Sequence, residues 1–272
     1  MNLPDIDQIS LVVSDIDGTL VDSSSNLSKK TIDSIAKLRE RGIHFALATG
    51  RTNMMISPFL EAFDYDLCSV TCNGALVYDH RNNVEIFSQH LDKSQSIYIL
   101  KEVRKRNWEF ICYSKDCMYY SFQDDLIENR IRRLKGRFKY RKVKEIGEIE
   151  DIDSLIKIGV REFAGVDINI VDQIAREAGT MLKNSGEKFK AIFPSGISKE
   201  TGMSKLQDYL HTTADNTIVF GDYDNDLPLF HRAKYKVAVS NASKDVLNEC
   251  NFVTSSNDED GVSVFLDKLL FP

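Results

Sequence analysis

Short unbroken apolar runs alternate with amphipathic stretches over the first part of the chain. The run "ISLVV" (9–13) is apolar at nearly every position, the pattern of a strand buried on both faces. Ser28 is placed to cap a helix whose Ile32, Ile35 and Leu38 share one stripe, and Gly42 is placed to end it. "IHFALAT" (43–49) is the next buried run, "NMMISPFLEAF" predicts a helix with Pro58 near its start, and "LCSVT" (67–71) predicts a third strand. This β-α-β-α-β order predicts a parallel sheet wrapped by helices.

From about Arg81 the pattern changes. "VEIFSQ" reads as a short strand, Ser94 as the cap of a helix over "QSIYILKEVRKR", and "WEFICYS" and "CMYYSF" as paired antiparallel strands. A basic segment, the strand-like "LIKIGVREF", a helix from about Val166 to Ala178 and the strand-like "KFKAIFP" follow. Parallel α/β signals then return with "SKETGMSKLQDYL", "NTIVFGD", "DLPLFHRA", "YKVAVSN", "KDVLNEC", "NFVTSS" and "DGVSVFLDKLL". The expected fold is α/β: a doubly wound, Rossmann-like parallel-sheet core over 1–82 and 195–272, interrupted by an inserted α+β cap over 83–194.

With 272 residues, 42% hydrophobic and 28% charged, the chain can build a substantial core, and neither disorder nor a fibrous class is favoured. A net charge of −6 argues against a general nucleic-acid binder, so any phosphate site must be built locally. No run approaches the ~18 apolar residues of a membrane span, and the start lacks a basic segment followed by an apolar one, so a cytoplasmic location is expected. Five cysteines, Cys68, Cys72, Cys112, Cys117 and Cys250, without a C-x-x-C pair, fit reduced thiols better than a disulfide frame.

In open parallel sheets, ligands bind beyond the carboxyl ends of the strands. Asp15 and Asp17 follow the first strand, Thr49, Gly50 and Arg51 the second, Asn73 and Gly74 the third, and Asp222 follows "TIVFG". Two carboxylates at i and i+2 leaving a strand point the same way, which costs repulsion unless a cation or shared proton offsets it. A hard divalent ion is the natural offset, with Asp222, Asp224 and Asp226 as further oxygen donors, and Gly18 allows a tight turn around it. Such a rim suits phosphoryl transfer: one carboxylate attacks phosphorus, and a second protonates the leaving oxygen and later activates water. Lys199 adds a positive charge, while Thr49 and the N–H of Gly50, at a helix start, are placed to hold phosphate oxygens.

Together these segments resemble the haloacid dehalogenase superfamily, in particular its Cof-type phosphatases with an α/β cap. "DIDGTLVD" is similar to the first motif, "ATGR" to the second, "TCNGA" to the Asn-Gly element, "SGISK" to the lysine motif and "FGDYDNDLPLF" to the metal motif; "VAVSNA" and "SSNDEDGV" match the tail. The resemblance covers residues 9–78 and 195–265. It implies Asp15 as nucleophile and metal ligand, and Asp17 as general acid and base whose backbone carbonyl also binds Mg²⁺. It further implies Thr49 and Lys199 on the phosphoryl group, Asp222 on the metal, Asn225 and Asp226 supporting that site, and Asn73 and Arg51 near the substrate. Two departures stand out: Glu200 follows the lysine where the family has glycine, with a second lysine at Lys205, and Pro228-Leu229-Phe230 replaces a methionine-containing turn.

The implied activity is Mg²⁺-dependent hydrolysis of a small phosphorylated metabolite such as a sugar phosphate, through an aspartyl-phosphate. A phosphotransferase or mutase on the same core is the nearest alternative, and a non-catalytic metabolite sensor a more distant one. A glycosyl transferase or glycosidase needs neither Lys199 nor the Thr49-Gly50 turn. His44, His80, His90, His211 and His231 show no ligand spacing. The basic run at 130–144 reads as a solvated cap face, with Arg137 and Lys139 as candidates for attracting an anionic substrate, and "WEFICYSKDCMYYSF" reads as core packing rather than a base-stacking platform. Oligomeric state and the particular ester are not legible.

Overall fold

Leu11–Ser14, β1 of the computed structural model, is buried at every position, as a strand covered on both faces must be. The structure describes residues 3–134, 138–162, 165–184 and 189–271. Helix α1 (Lys29–Glu40) is capped by Ser28, whose hydroxyl accepts the Thr31 N–H, and its buried stripe is Thr31, Ser34, Ile35 and Leu38. Strand β2 (His44–Ala48) follows Gly42, and α2 (Ser57–Ala62) carries Pro58 in its first turn, where a missing N–H costs nothing. Strand β3 (Cys68–Thr71) ends in a Cys72–Gly74 turn, from which the chain folds back as β4 (Leu76–Asp79), antiparallel to β3, and then β5 (Val84–Ser88). A tight turn after β3 permits only an antiparallel return into β4, and the stretch assigned from sequence to the start of the insert begins with β5, which lies beside β4 at the edge of the core sheet.

In the intervening segment, α3 (Lys93–Lys105) is capped by Asp92, not Ser94 as the sequence suggested. Asp92 accepts the Gln95 N–H while the Gln95 amide oxygen accepts the Asp92 N–H, and Ser94 only donates its hydroxyl to Asp92. Then come β6 (Phe110–Tyr113), β7 (Cys117–Tyr120), α4 (Asp125–Leu134), β8 (Lys139–Lys142), β9 (Lys157–Arg161), α5 (Ile168–Glu177), β10 (Met181–Asn184) and β11 (Phe189–Phe193). The aromatic run packs as core: Phe110, Tyr113, Met118, Tyr119 and Tyr120 are all buried. The described part of the basic run divides between α4 and the fully exposed edge strand β8, whose lysines discourage edge pairing. Arg137 lies outside the described residues.

The core resumes with α6 (Lys199–Leu210), β12 (Thr217–Gly221), α7 (Leu227–Phe230), β13 (Tyr235–Val239), α8 (Lys244–Glu249), β14 (Phe252–Thr254) and α9 (Gly261–Leu270). The large sheet has the order β14-β13-β12-β1-β2-β3-β4-β5, parallel from β14 to β3. Leu11, Val13, Ala46, Val70 and Val219 pack on one face with Met203, Leu206 and Phe230 of α6 and α7. On the other face, Phe220 meets Phe265 of α9 edge-on at 5.5 Å. The core is therefore doubly wound, and the direction of winding reverses between β1 and β12, the switch point at which α/β sheets open a crevice.

The second sheet has the order β10-β11-β9-β6-β7-β8 and its own apolar core with α3 and α5. The chain divides into two compact units: 1–49, 59–87 and 198–272 hold the parallel sheet, and 50–58 with 88–197 hold the second sheet.

Candidate active site

The rim of the core is set by strand register. Ser14 of β1 lies beside Phe220 of β12, and the Asp15 N–H donates to the Phe220 carbonyl at 3.1 Å, so Asp15 and Asp222 leave neighbouring strands almost level. After Asp15 the chain makes a wide turn closed by the Val21 N–H on the Ile16 carbonyl (3.1 Å), with Gly18 at φ +81°. A Cβ on Gly18 would lie 2.4 Å from Asp222 Oδ2. Glycine is needed here both for the backbone angle and for the approach of a carboxylate.

Three carboxylates meet at this point: Asp15, Asp222 and Asp226 each place an oxygen within 4.8 Å of the others. Lys199 Nζ sits between two of them, donating to Asp15 Oδ1 at 2.5 Å and to Asp226 Oδ1 at 2.6 Å. Lys199 is the first residue of α6, whose Ser198 cap accepts the Thr201 N–H. Asp226 is wholly buried and its Oδ2 accepts the N–H groups of Asp222 (3.0 Å) and Tyr223 (3.2 Å), locking the turn after β12. Of the two candidate lysines, Lys199 is the one turned into the carboxylates; Lys205 stacks its ammonium over the Phe87 ring.

The electrostatics follow from burial. Desolvation pushes the Asp15 carboxyl well above its usual range, Lys199 pulls it back, and Asp226 and Asp222 push it up again. Desolvation likewise raises Asp222 to about 6, opposed by the Thr19 hydroxyl. Burial alone would lower the Lys199 ammonium, but the charges of Asp15 and Asp226 raise it above its ordinary value, so it stays protonated. Three carboxylates against one ammonium leave two negative charges, and an all-oxygen donor set of this kind fits a hard divalent cation.

Asp17 lies outside the trio, exposed on the turn, where its charge raises Asp222 further. Thr49 is buried at the end of β2, its N–H donating to the Val70 carbonyl at 2.8 Å while its own carbonyl accepts the Asn73 N–H at 3.1 Å. Asn73 is buried in a left-handed conformation (φ +55°). Asn225 is exposed on the turn holding Asp226, and Asp224 accepts the Ser243 hydroxyl at 2.8 Å rather than joining the trio. Arg51 is half-buried and belongs to the second unit. Gly50 is not at a helix start as expected: Thr52 keeps extended dihedrals (φ −77°, ψ 161°), and the first helical turn begins at Asn53.

Sequence reasoning missed three supports. Thr19 donates to Asp222 Oδ1 at 2.7 Å, and Asn241 holds the Gly18 carbonyl at 2.8 Å. Gly74 and Gly202 let the turn after β3 press against the first turns of α6: a Cβ on Gly74 would fall 1.9 Å from the Ser198 carbonyl oxygen, and one on Gly202 would fall 2.8 Å from Gly74 Cα. The adjacency of Gly18-Thr19 and of Asn73-Gly74 inside their motifs, and the place of Asn241 inside "VAVSNA", hinted at these roles.

Fold and rim together define a doubly wound α/β scaffold with a carboxylate and lysine centre at its switch point. The family of haloacid dehalogenase-like hydrolases matches residues 12–266, and the chain belongs to it. It is 26% identical over 284 residues to a 5-amino-6-(5-phospho-D-ribitylamino)uracil phosphatase of Bacillus subtilis, covering 94% of this chain and 96% of that one. To a pyridoxal phosphate phosphatase of Escherichia coli it is 22% identical over 263 residues, with 94% and 97% covered. A haloacid dehalogenase-like hydrolase from Bacteroides thetaiotaomicron superimposes with a TM-score of 0.87 at 23% identity over 96% of this chain and 99% of that one, a likeness of fold. Among the described residues, no helix is long and apolar enough to cross a membrane.

Proposed function

We propose that the chain is a Mg²⁺-dependent phosphatase of small phosphomonoesters, acting in the cytoplasm through an aspartyl-phosphate on Asp15. The observation that carries this reading is the Lys199 ammonium buried between Asp15 and Asp226, with Asp222 completing a centre of three carboxylates and one ammonium, formal charge −2. Asp15, Asp222 and Asp226, with the Asp17 main-chain carbonyl, would hold the ion, which when bound supplies positive charge against the phosphoryl oxygens.

An Asp15 carboxylate oxygen attacks phosphorus and the ester P–O bond breaks, while the Asp17 carboxyl gives its proton to the departing alkoxide. Asp17 then takes a proton from water, whose oxygen attacks phosphorus and breaks the bond to Asp15, releasing inorganic phosphate. Thr49, the Gly50 N–H and Lys199 hold phosphoryl oxygens, Asn73 and Arg51 lie toward the ester, and Asn225 supports the turn that carries Asp226. The segment that interrupts the core supplies specificity. The names of the Bacillus and Escherichia relatives, both phosphatases of small phosphorylated metabolites, support this reading.

A screen of sugar phosphates, nucleotides, pyridoxal 5′-phosphate and flavin mononucleotide, with and without Mg²⁺, tests it. Phosphate release that needs Mg²⁺ and disappears in Asp15→Asn, with the fold intact by circular dichroism, is expected. Full activity in Asp15→Asn refutes the nucleophile, and accumulation of an isomeric phosphate instead of free phosphate would make the enzyme a mutase.

A further inference from the structure

We infer that Asn241 is a positioning residue for the phosphoryl-transfer step: its amide fixes the glycine peptide next to Asp17 and so aims the carboxyl that protonates the leaving oxygen. The inference rests on the phosphatase reading above and deepens it. Every residue it uses belongs to the unit that holds the parallel sheet.

The turn that carries Asp17 is tied down at each end. Before it, the Asp15 N–H is fixed to the Phe220 carbonyl of β12 at 3.1 Å, and Ile16 is wholly buried. After it, Thr19 donates to Asp222 Oδ1 at 2.7 Å, and Ser23 gives both its N–H and its hydroxyl to Asp258 at 2.7 Å. Between these anchors stand Asp17 (φ −80°, ψ 116°) and Gly18 (φ +81°, ψ −2°), both outside helical geometry. Glycine has the widest choice of backbone angles, so the Asp17-Gly18 pair is the joint at which this turn can rotate.

Two strand ends close that joint. Asn241 follows β13, and its Nδ2 donates to the Gly18 carbonyl at 2.8 Å. Asn257 follows β14; its N–H donates to Asn241 Oδ1 at 2.9 Å and its Nδ2 to the Val21 carbonyl at 2.9 Å. These contacts leave the Asn241 amide a single orientation, because the Asn257 N–H can only donate and the Gly18 carbonyl can only accept. Asn241 is exposed and Gly18 half-buried, so water replaces the amide when it is lost, and stability changes little. What is lost is direction. Delivery of a proton by a positioned acid is worth about 10²–10⁴-fold, and a displacement of about 1 Å costs on the order of a hundredfold, so this hydrogen bond is read in the rate rather than in the fold.

The test compares phenyl phosphate with p-nitrophenyl phosphate, hydrolysed by the full chain with Mg²⁺. Nitrophenolate departs as an anion without a proton and phenolate far less readily, so a misdirected acid slows phenyl phosphate selectively. A loss of phosphate or Mg²⁺ affinity, or a general loosening of the site, slows both esters together and leaves their ratio of kcat/KM unchanged. Asp17→Asn sets the scale, with an expected rise of the nitrophenyl-to-phenyl ratio of about tenfold or more over the parent. Asn241→Ala removes both hydrogen bonds, whereas Asn241→Asp keeps the acceptor for Asn257 and loses the donor to Gly18; each is expected to raise the ratio at least about threefold, with an unchanged circular dichroism spectrum. A ratio at the parent's value in either Asn241 variant, while Asp17→Asn raises it, overturns the inference and leaves the phosphatase reading standing. A ratio that Asp17→Asn itself does not move overturns the acid role of Asp17 and the inference with it. No phosphate release by the parent overturns the phosphatase reading and the inference together.

Discussion

Replacing Lys199 by methionine removes one ammonium and leaves a side chain of similar reach. That amine lies 2.5 Å from Asp15 Oδ1 and 2.6 Å from Asp226 Oδ1, and the three side chains are 1%, 8% and 0% exposed. The formal charge of the centre goes from −2 to −3, and two buried carboxylates lose their partner. Breaking a buried pair from one side costs about 3–5 kcal/mol, a large share of the roughly 5–15 kcal/mol that holds a domain folded. At about 2–4 °C per kcal/mol, the thermal midpoint is expected to fall by ~6–20 °C.

The carboxylates have one escape, which is to take up a proton. Burial already holds Asp15 well above its usual range, and loss of the ammonium raises it further. A carboxylate whose folded value is raised stabilises the fold at acid pH and loses that contribution as pH climbs through the folded value. The deficit of Lys199→Met should thus be large at about pH 8 and shrink by about pH 5.5. In Lys199→Met/Asp226→Asn, one orphaned charge is gone and part of the midpoint should return. Calorimetry with a chelator present, at both pH values, measures all three proteins. An unchanged midpoint at the higher pH, or the same deficit at both, would refute the argument that a charged lysine neutralises this centre.

Three further outcomes are expected. Gly74→Ala meets both a left-handed backbone (φ +99°) and the Ser198 carbonyl, whereas Gly42→Ala (φ +78°) meets nothing within 4 Å; the first should cost ~2–5 kcal/mol and at least tenfold in kcat by moving Lys199, the second only ~1–2 kcal/mol, and equal midpoints would sink the close-packing argument. Burial lowers His80 to about 4, so the unfolded chain binds a proton that the folded chain refuses; stability should drop by roughly 3 kcal/mol as pH falls from about 6.5 to 4, and His80→Asn should flatten that limb in urea titrations. Mg²⁺ at about a hundredfold its Kd should add ~2.7 kcal/mol of stability at about pH 7.5, less at pH 5 where protonated Asp222 competes with the ion, and nothing in Asp222→Asn.

Much of the fold was legible because it is written locally. Ser28 caps α1 as read, since a hydroxyl three residues before a free N–H is a short-range contact. Competition between near neighbours was less legible: Asp92 outbids Ser94 because its carboxylate reaches the Gln95 N–H while Gln95 returns the bond. The turn back into β4 was also missed, since the Cys72–Gly74 turn sends the chain back antiparallel to β3 through left-handed backbone at Cys72 and Asn73, which the apolar pattern does not report.

The same division runs through the site. Apolar runs ending in Asp15, Thr49, Asn73 and Asp222 place four chemical segments at strand ends, and a parallel sheet with short connections gathers strand ends on one rim, so residue order alone dictated which groups share an edge. That Thr19 restrains Asp222, and that Gly74 and Gly202 must lack side chains, were settled by approach distances of two to three ångströms between segments far apart in the chain. Pattern reports which face a residue occupies; packing at van der Waals contact decides which atoms can stand there.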